Sequence, residues 1–156
     1  EYDDWYDQLD QRFDLVEHTF GDARSLYFYD TEGNCVELGE NDDASQGVSA
    51  LFEIVLEVES LDRAVEFYTN LGFDIVDSGE NRQRVRLTTG ELDIELWEPH
   101  RGLADARGGV HVDVGLVCDD PTGVAETVSD AALSVAEIEG GIRIRDPDGH
   151  YVSLLN

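Results

Sequence analysis

The chain has 156 residues, with 36 acids against 10 basic residues, a formal net charge of −26, and every basic residue is an arginine. Like-charge repulsion disfavours nucleic acid and anionic membrane surfaces as partners, no apolar run reaches the roughly 18 residues of a membrane span, and Cys35 and Cys118, far apart and outside any CxxC pair, signal neither a disulfide framework nor a zinc site. The acids run along the whole chain rather than in a tail, so the expectation is a cytoplasmic protein of an extreme halophile, whose molar salt shortens the Debye length to about 3 Å and screens the self-repulsion.

Taken in order, the elements read as one pattern repeated. Tyr2–Leu9 reads as the end of a helix, Phe13–Thr19 as a strand and Ser25–Leu38 as a hairpin; residues 39–50 are a linker, polar from Asn41 to Gly47. From Leu51 to Val58 the residues alternate, Ile54, Leu56 and Val58 against Glu53, Val55 and Glu57, which is the period of a half-buried strand. Ser60 can cap a helix with the apolar stripe Ala64, Val65, Phe67, Tyr68 and Leu71, and Leu71-Gly72-Phe73 ends it. Val85–Leu96 gives two strands around Gly90. Val110–Cys118 is the next strand, with Cys118 on the core side beside Val114 and Leu116. Asp119-Asp120-Pro121 opens a helix with proline near its first position, and Val124, Val128 and Ala131–Leu133 form its buried side. The closing hairpin, Ile142–Leu154, turns at Asp146-Pro147-Asp148-Gly149, where proline presets φ and glycine tolerates positive φ.

Leu26–Leu38, Val85–Leu96 and Ile142–Leu154 therefore share one ending: strand, glycine turn, strand. Residues 51–98 and 110–156 each read β-α-β-β-β, whereas residues 1–38 read as the last part of such a unit, without its first strand and the start of its helix. The chain holds no methionine, so Glu1 is expected not to be the native start. A missing N-terminal segment or a second chain, as in a homodimer, is expected to pair with the sheet edge left open.

The stretch Glu53–Phe73, with its Ser60-Leu61 cap and its Phe67-Tyr68-x-x-Leu71-Gly72-Phe73 ending, resembles the opening of a module of the vicinal oxygen chelate superfamily, that of glyoxalases, bleomycin-resistance proteins and extradiol dioxygenases. The Asp146-Pro147-Asp148-Gly149 turn and the strand to Leu154 match that family's closing hairpin. The resemblance implies an α+β fold: paired βαβββ modules forming an open, curved mixed-sheet cup with helices outside, a divalent metal and an oxygen-bearing small molecule inside.

It also implies where metal ligands would stand, one on the first and one on the last strand of each module. Those positions are Glu53 and Glu95 in the first module, Asp113 and Ser153 in the second, and Glu37 on the last strand of the truncated one. The family places His on first strands and Glu on last strands, so this sequence departs at three of four positions; His111, two residues before Asp113 and on the same strand face, is a candidate substitute. Carboxylates at Glu53, Glu95 and Asp113 could hold a hard ion such as Mg or Mn, and the resemblance extends the choice to Fe, Zn or Ni. Against this, Arg84, Arg86, Arg143 and Arg145 alternate with Val85, Leu87, Ile142 and Ile144, so these four should line the cup, neutralise carboxylates and attract an anion.

His18, His100 and His150 read as surface residues, and Trp97 and Tyr151, at strand ends, as packing rather than stacking platforms. Cys35 shares a face with Glu37 and is expected to look into a different cup. Three functions follow. The first is the C-terminal part of a larger metal-dependent glyoxalase- or dioxygenase-like enzyme, with Glu95 as ligand or base. The second is a metal-free module that binds a small anion, and the third an architectural domain whose cup is filled by its own ion pairs.

Overall fold

The strand periodicity becomes three sheets in the computed structural model, which describes residues 2–40, 47–48, 51, 53–78, 84–89, 93–98 and 112–156, and only the backbone of Phe20 and of residues 84–86. The chain divides into two units, Glu1–Ala50 and Leu51–Asn156.

The first unit is a helix, α1 (Tyr2–Leu9), followed by β1 (Val16–Phe20), β2 (Ala23–Tyr29) and β3 (Cys35–Gly39), an antiparallel sheet in the order β1-β2-β3. The strand expected from Phe13 begins three residues later. Phe13 instead packs its ring on Phe28, with centroids 4.9 Å apart. Among the described residues, Leu26 and Phe28 are the buried apolar residues of this sheet, and no residue of α1 is fully buried.

The second unit contains β4 (Glu53–Glu57), α2 (Leu61–Asn70), β5 (Asp74–Asp77), β6 (Arg84–Thr88) and β7 (Asp93–Trp97), then β8 (Asp113–Val117), α3 (Pro121–Val128), β9 (Ser134–Ile138), β10 (Gly141–Arg145) and β11 (Tyr151–Leu155). The sheets run β4-β7-β6-β5 and β8-β11-β10-β9. In each, the first and last strands pair in parallel and the other pairs are antiparallel. This is a pair of βαβββ modules in an α+β fold, and neither sheet closes into a barrel.

Local chemistry starts both helices. The Ser60 hydroxyl accepts from the Arg63 N–H, and the Asp120 carboxylate accepts from the Gly123 N–H at 2.9 Å with Pro121 in the first turn. The expected continuation of the second helix through Ala131–Leu133 is corrected. Helix α3 stops at Val128; Ala132 packs half-buried against the core as expected, but Ala131 is exposed, and Leu133 is largely exposed while its N–H already pairs with the Arg145 carbonyl. Gly149 turns the last hairpin at φ 101°, a conformation a side chain would strain.

The helix-facing sides of the two sheets share one core. Leu56, Val58, Leu87, Ile94 and Leu96 meet Ile144, Val152 and Leu154, with Phe67 and Tyr68 from α2 and Ala125 and Val128 from α3 between them. Burying each large side chain is worth about 1.5–3 kcal/mol. Cys118 packs half-buried against this core.

Candidate functional site

Because strand side chains alternate, the residues between the core positions point to the face away from the helices. In the second module these are Asp113 on β8, Arg143 and Arg145 on β10, and Tyr151 and Ser153 on β11. Arg143 stands opposite Ser153, and Arg145 opposite Tyr151.

Three of these side chains form a closed cluster. The Arg143 Nε donates to Ser153 Oγ at 3.2 Å, Ser153 Oγ donates to Asp113 Oδ1 at 3.0 Å, and an Arg143 terminal nitrogen lies 2.8 Å from Asp113 Oδ2. The arginine and aspartate side chains are 44% and 43% exposed, so solvent reaches the pair. Arg145 donates through Nε to the Gly149 carbonyl at 3.3 Å, and among the described residues no carboxylate lies within ion-pair distance of it. Both guanidinium carbons stand 5.7 Å from the Tyr151 ring centroid, within cation–π range. Tyr151, expected as packing, thus carries the charge-bearing side of the strand.

In the first module Glu95 is 5% exposed, between Ile94 and Leu96 in sequence but on the opposite face from them. Its register neighbours are Arg86 on β6 and Val55 on β4, while Glu53 stands beside Asp93. Glu53 and Glu95 therefore occupy one face of adjacent strands, two positions out of step. The side chains of Arg84 and Arg86, and all of His100 and His111, lie outside the described residues. Glu37 sits half-buried at the middle of β3 and Cys35 is exposed at its start, both in the other unit; His18, on β1, meets the Tyr27 ring edge-on. Trp97 ends β7 half-buried.

Among the described residues, the donors at the positions the resemblance implies for the second module are a poor set for a divalent ion. Of the two positions implied there, Ser153 offers a neutral hydroxyl and Asp113 a carboxylate already paired with the Arg143 guanidinium. Among the described residues no three His, Cys, Asp or Glu side chains converge.

His150, expected at the surface, is a correction. It is 4% exposed, with Nε2 at 2.8 Å from the Glu57 carbonyl and Nδ1 accepting from the Val112 N–H at 3.3 Å. With Nδ1 accepting from Val112, Nε2 is the nitrogen that donates to the Glu57 carbonyl, and the ring bridges the two modules. Its neighbours complete the joint. Asp146, fully buried, accepts from the Tyr68 hydroxyl at 2.8 Å and from the N–H groups of Asp148 and His150. Burial, and then the charge of Asp146, holds the Tyr68 phenol well above the ordinary tyrosine range. Asp148 accepts from the Glu59 N–H and pairs with Arg63 at 2.7 Å, which raises the arginine's already high pKa. The co-occurring Phe67-Tyr68 and Asp146-Pro147-Asp148 segments were the available signal for this joint; nothing in the sequence marked His150.

A shallow concavity of about 340 Å³ lies apart from all of this, at the start of α3, and gathers Asp119, Asp120 and Glu137.

A family model described as the Glyoxalase/Bleomycin resistance protein/Dioxygenase superfamily matches residues 50–154. No curated protein matches the chain. A gene product of Arabidopsis thaliana of solved structure is 15% identical with a TM-score of 0.55, the likeness covering 71% of this chain and all of that one. An integron cassette protein of V. cholerae is 22% identical with a TM-score of 0.53, over 70% of this chain and 95% of its own. A lactoylglutathione lyase from Agrobacterium tumefaciens is 22% identical with a TM-score of 0.52, again over 70% and 95%. At these identities the likeness carries the fold.

Proposed function

The chain belongs to the Glyoxalase/Bleomycin resistance protein/Dioxygenase superfamily, and from that premise we propose that residues 51–156 form a metal-free module that binds a small anionic molecule at Arg143, Arg145 and Tyr151. The observation that carries this reading is the Arg143 guanidinium bonded to both Asp113 and Ser153, the two residues at the positions where the resemblance implies metal ligands in the second module. Two unit charges about 4 Å apart interact by about 4 kcal/mol at an effective dielectric near 20. A divalent ion beside this guanidinium would meet that repulsion twice over, with Asp113 already neutralised. The Arg143 N–H groups not bonded to Ser153 and Asp113 suit a carboxylate or phosphate. Arg145, without a carboxylate partner among the described residues, has its terminal nitrogens to offer, and the Tyr151 ring supplies a flat apolar surface.

A cytoplasm of molar salt, which we propose as the working medium, screens long-range attraction to a few ångströms. Affinity there must come from direct hydrogen bonds and ring contact. One observation favours the enzyme reading: the buried Glu95 in the first module, which could act as ligand or base in a parent enzyme, with His111 as a further ligand.

Benzoate, a flat monoanion, and acetate are suitable probes in about 2 M KCl, read by amide chemical shifts. Saturable shifts at Arg145, Tyr151 and Ser153, weakened at least tenfold by Arg145→Gln, support the proposal, with benzoate bound more tightly than acetate. Near-stoichiometric uptake of Mn, Fe, Zn or Ni, lost in Glu95→Ala or in His111→Ala, would overturn it and restore the enzyme.

A further inference from the structure

The hairpins that close the two units are the same object, bond for bond. In the second unit the Asp146 N–H donates to the His150 carbonyl, Gly149 N–H to the Asp146 carbonyl, and Asp146 Oδ1 accepts from the N–H groups of Asp148 and His150. In the first unit the Asp30 N–H donates to the Asn34 carbonyl, Gly33 N–H to the Asp30 carbonyl, and Asp30 Oδ1 accepts from Glu32 and Asn34. The turn therefore aligns Asp30 with Asp146, Gly33 with Gly149, Glu37 with Ser153 and Gly39 with Leu155.

That alignment shows what β11 has and β3 lacks. The outer edge of β11 carries β8 in parallel, with the Cys118 N–H donating to the Leu155 carbonyl at 2.8 Å; the outer edge of β7 carries β4, with the Val58 N–H donating to the Trp97 carbonyl at 2.9 Å. On β3, hydrogen-bonded pairs with β2 alternate with non-bonded ones. Glu40 donates to the Arg24 carbonyl and Asp30 to the Asn34 carbonyl, which fixes Leu26–Leu38 and Phe28–Val36 as the bonded pairs. The backbone groups of Glu37 and Gly39 therefore point away from β2, and among the described residues no strand lies on that side.

We propose that the outer edge of β3 is a docking site for one parallel β-strand supplied from outside residues 1–156, of the kind that opens a βαβββ module. The occupant is an extended segment with apolar residues at alternate positions, as Leu56 and Val58 or Val114 and Leu116 provide beside β7 and β11. Its backbone N–H meets the Gly39 carbonyl, and its apolar side chains extend the face of Leu26 and Phe28. A self-pairing second copy fits less well. Two β3 edges related by a two-fold axis would run antiparallel, and both filled edges in this chain are parallel.

The experiment uses the whole chain in high salt and, as probe, a synthetic peptide with the sequence of residues 51–60, read by amide hydrogen exchange. Docking slows exchange at Glu37 and Gly39 by at least about tenfold, with Val36 and Leu38 unchanged. Glu37→Pro removes an N–H that β2 does not use, so the hairpin persists and the peptide no longer protects Gly39. Unchanged exchange at saturating peptide would overturn the proposal. So would protection already present in the peptide-free monomer, which means the chain covers its own edge, or protection that appears only with dimerisation.

Discussion

The two units end in the same hairpin and differ in what surrounds it. In the first, the Asp30 carboxylate turns back on its own loop, its second oxygen taken by the Asn34 side chain at 2.9 Å, and no residue of that unit's helix is fully buried. In the second, the equivalent oxygen of Asp146 is taken by Tyr68 from the other module, and α2 sinks Leu61, Ala64, Phe67 and Tyr68 into the core. Charge differs in the same direction: residues 1–50 carry 14 acids against 2 arginines, residues 51–156 carry 22 against 8. The turn is thus a local object set by its Asp and Gly, whereas the burial in the second unit comes with a parallel strand beside β11 and a second module. The first sheet, which among the described residues of its own unit has no such strand, should be the less stable part of the molecule.

The largest expected effect breaks the two units apart. At about 0.1 M KCl the Debye length is about 10 Å and the acids repel across each unit, while at molar salt they are screened. Amide exchange should show β1–β3 opening at a salt concentration at which β4–β11 stay protected. A thermal transition that is single and unmoved between about 0.1 M and 3 M KCl would remove both the charge argument and the difference between units.

Next comes Asp146→Ala against Asp30→Ala. The first leaves the Tyr68 hydroxyl and the His150 N–H buried without an acceptor, at about 1–3 kcal/mol each, so the second unit should lose about 2–6 kcal/mol and the first none. Asp30 is half-buried, and its carboxylate is held below the usual range chiefly by Asn34. A lowered folded pKa gives stability that is present above about pH 4 and lost on further acidification. Its removal should therefore soften the acid transition of the first unit alone. Equal losses in the two variants would mean that the turn, not its surroundings, sets stability.

The fold was legible where the chemistry is local. Ser60, Asp120 and Pro121 start helices by bonds within three residues, Gly149 turns where a side chain would strain, and the alternation from Glu53 to Val58 sorts core from face. The site was legible only as parity: the arginines of β10 were placed on the face away from the helices, but the guanidinium bridging Asp113 and Ser153 depends on residues 10 and 40 positions apart. His150 was misread because its partners are backbone groups 93 and 38 positions away, and backbone partners leave no trace in side-chain identity. Ala131–Leu133 looked helical because their apolar run continues that of α3. The pairing of Leu133 with Arg145 takes that backbone for the sheet instead.

Tyr68→Phe should be milder, about 1–2 kcal/mol, since Asp146 keeps its two N–H donors. Its signature is the pH profile. A raised folded pKa means the unfolded chain releases the phenolic proton first, so the contribution is whole below about pH 10 and lost as pH rises towards the folded value. The variant should flatten that alkaline decline in the second unit. In the first unit Tyr2, pushed up to about 12 by burial and then by Glu17, keeps its own decline. A decline in the second unit that survives the substitution would assign it to another group and deny that Tyr68 ties the modules together.

The smallest effect separates two arginine clusters. Arg24 grips Glu40 with two nitrogens, reaches Asp3 at 2.9 Å, and lies 4.0 Å above the Tyr2 ring, so it ties α1 to the sheet of the first unit. Arg143 has one carboxylate, one hydroxyl and a ring at 5.7 Å, all on strands already held by their ladders. Arg24→Gln should therefore lower the thermal midpoint of the first unit measurably. A double-mutant cycle between Arg143 and Asp113 should return a coupling of about 0.2–1 kcal/mol, the range for half-exposed pairs, and less as salt rises. If stability does not need the Arg143 cluster, its place is left to ligand recognition, and Arg143→Gln should weaken benzoate binding while the melting curve barely moves. A coupling above about 2 kcal/mol would instead make the cluster part of what holds β8, β10 and β11 together, and would favour the architectural role over the binding one.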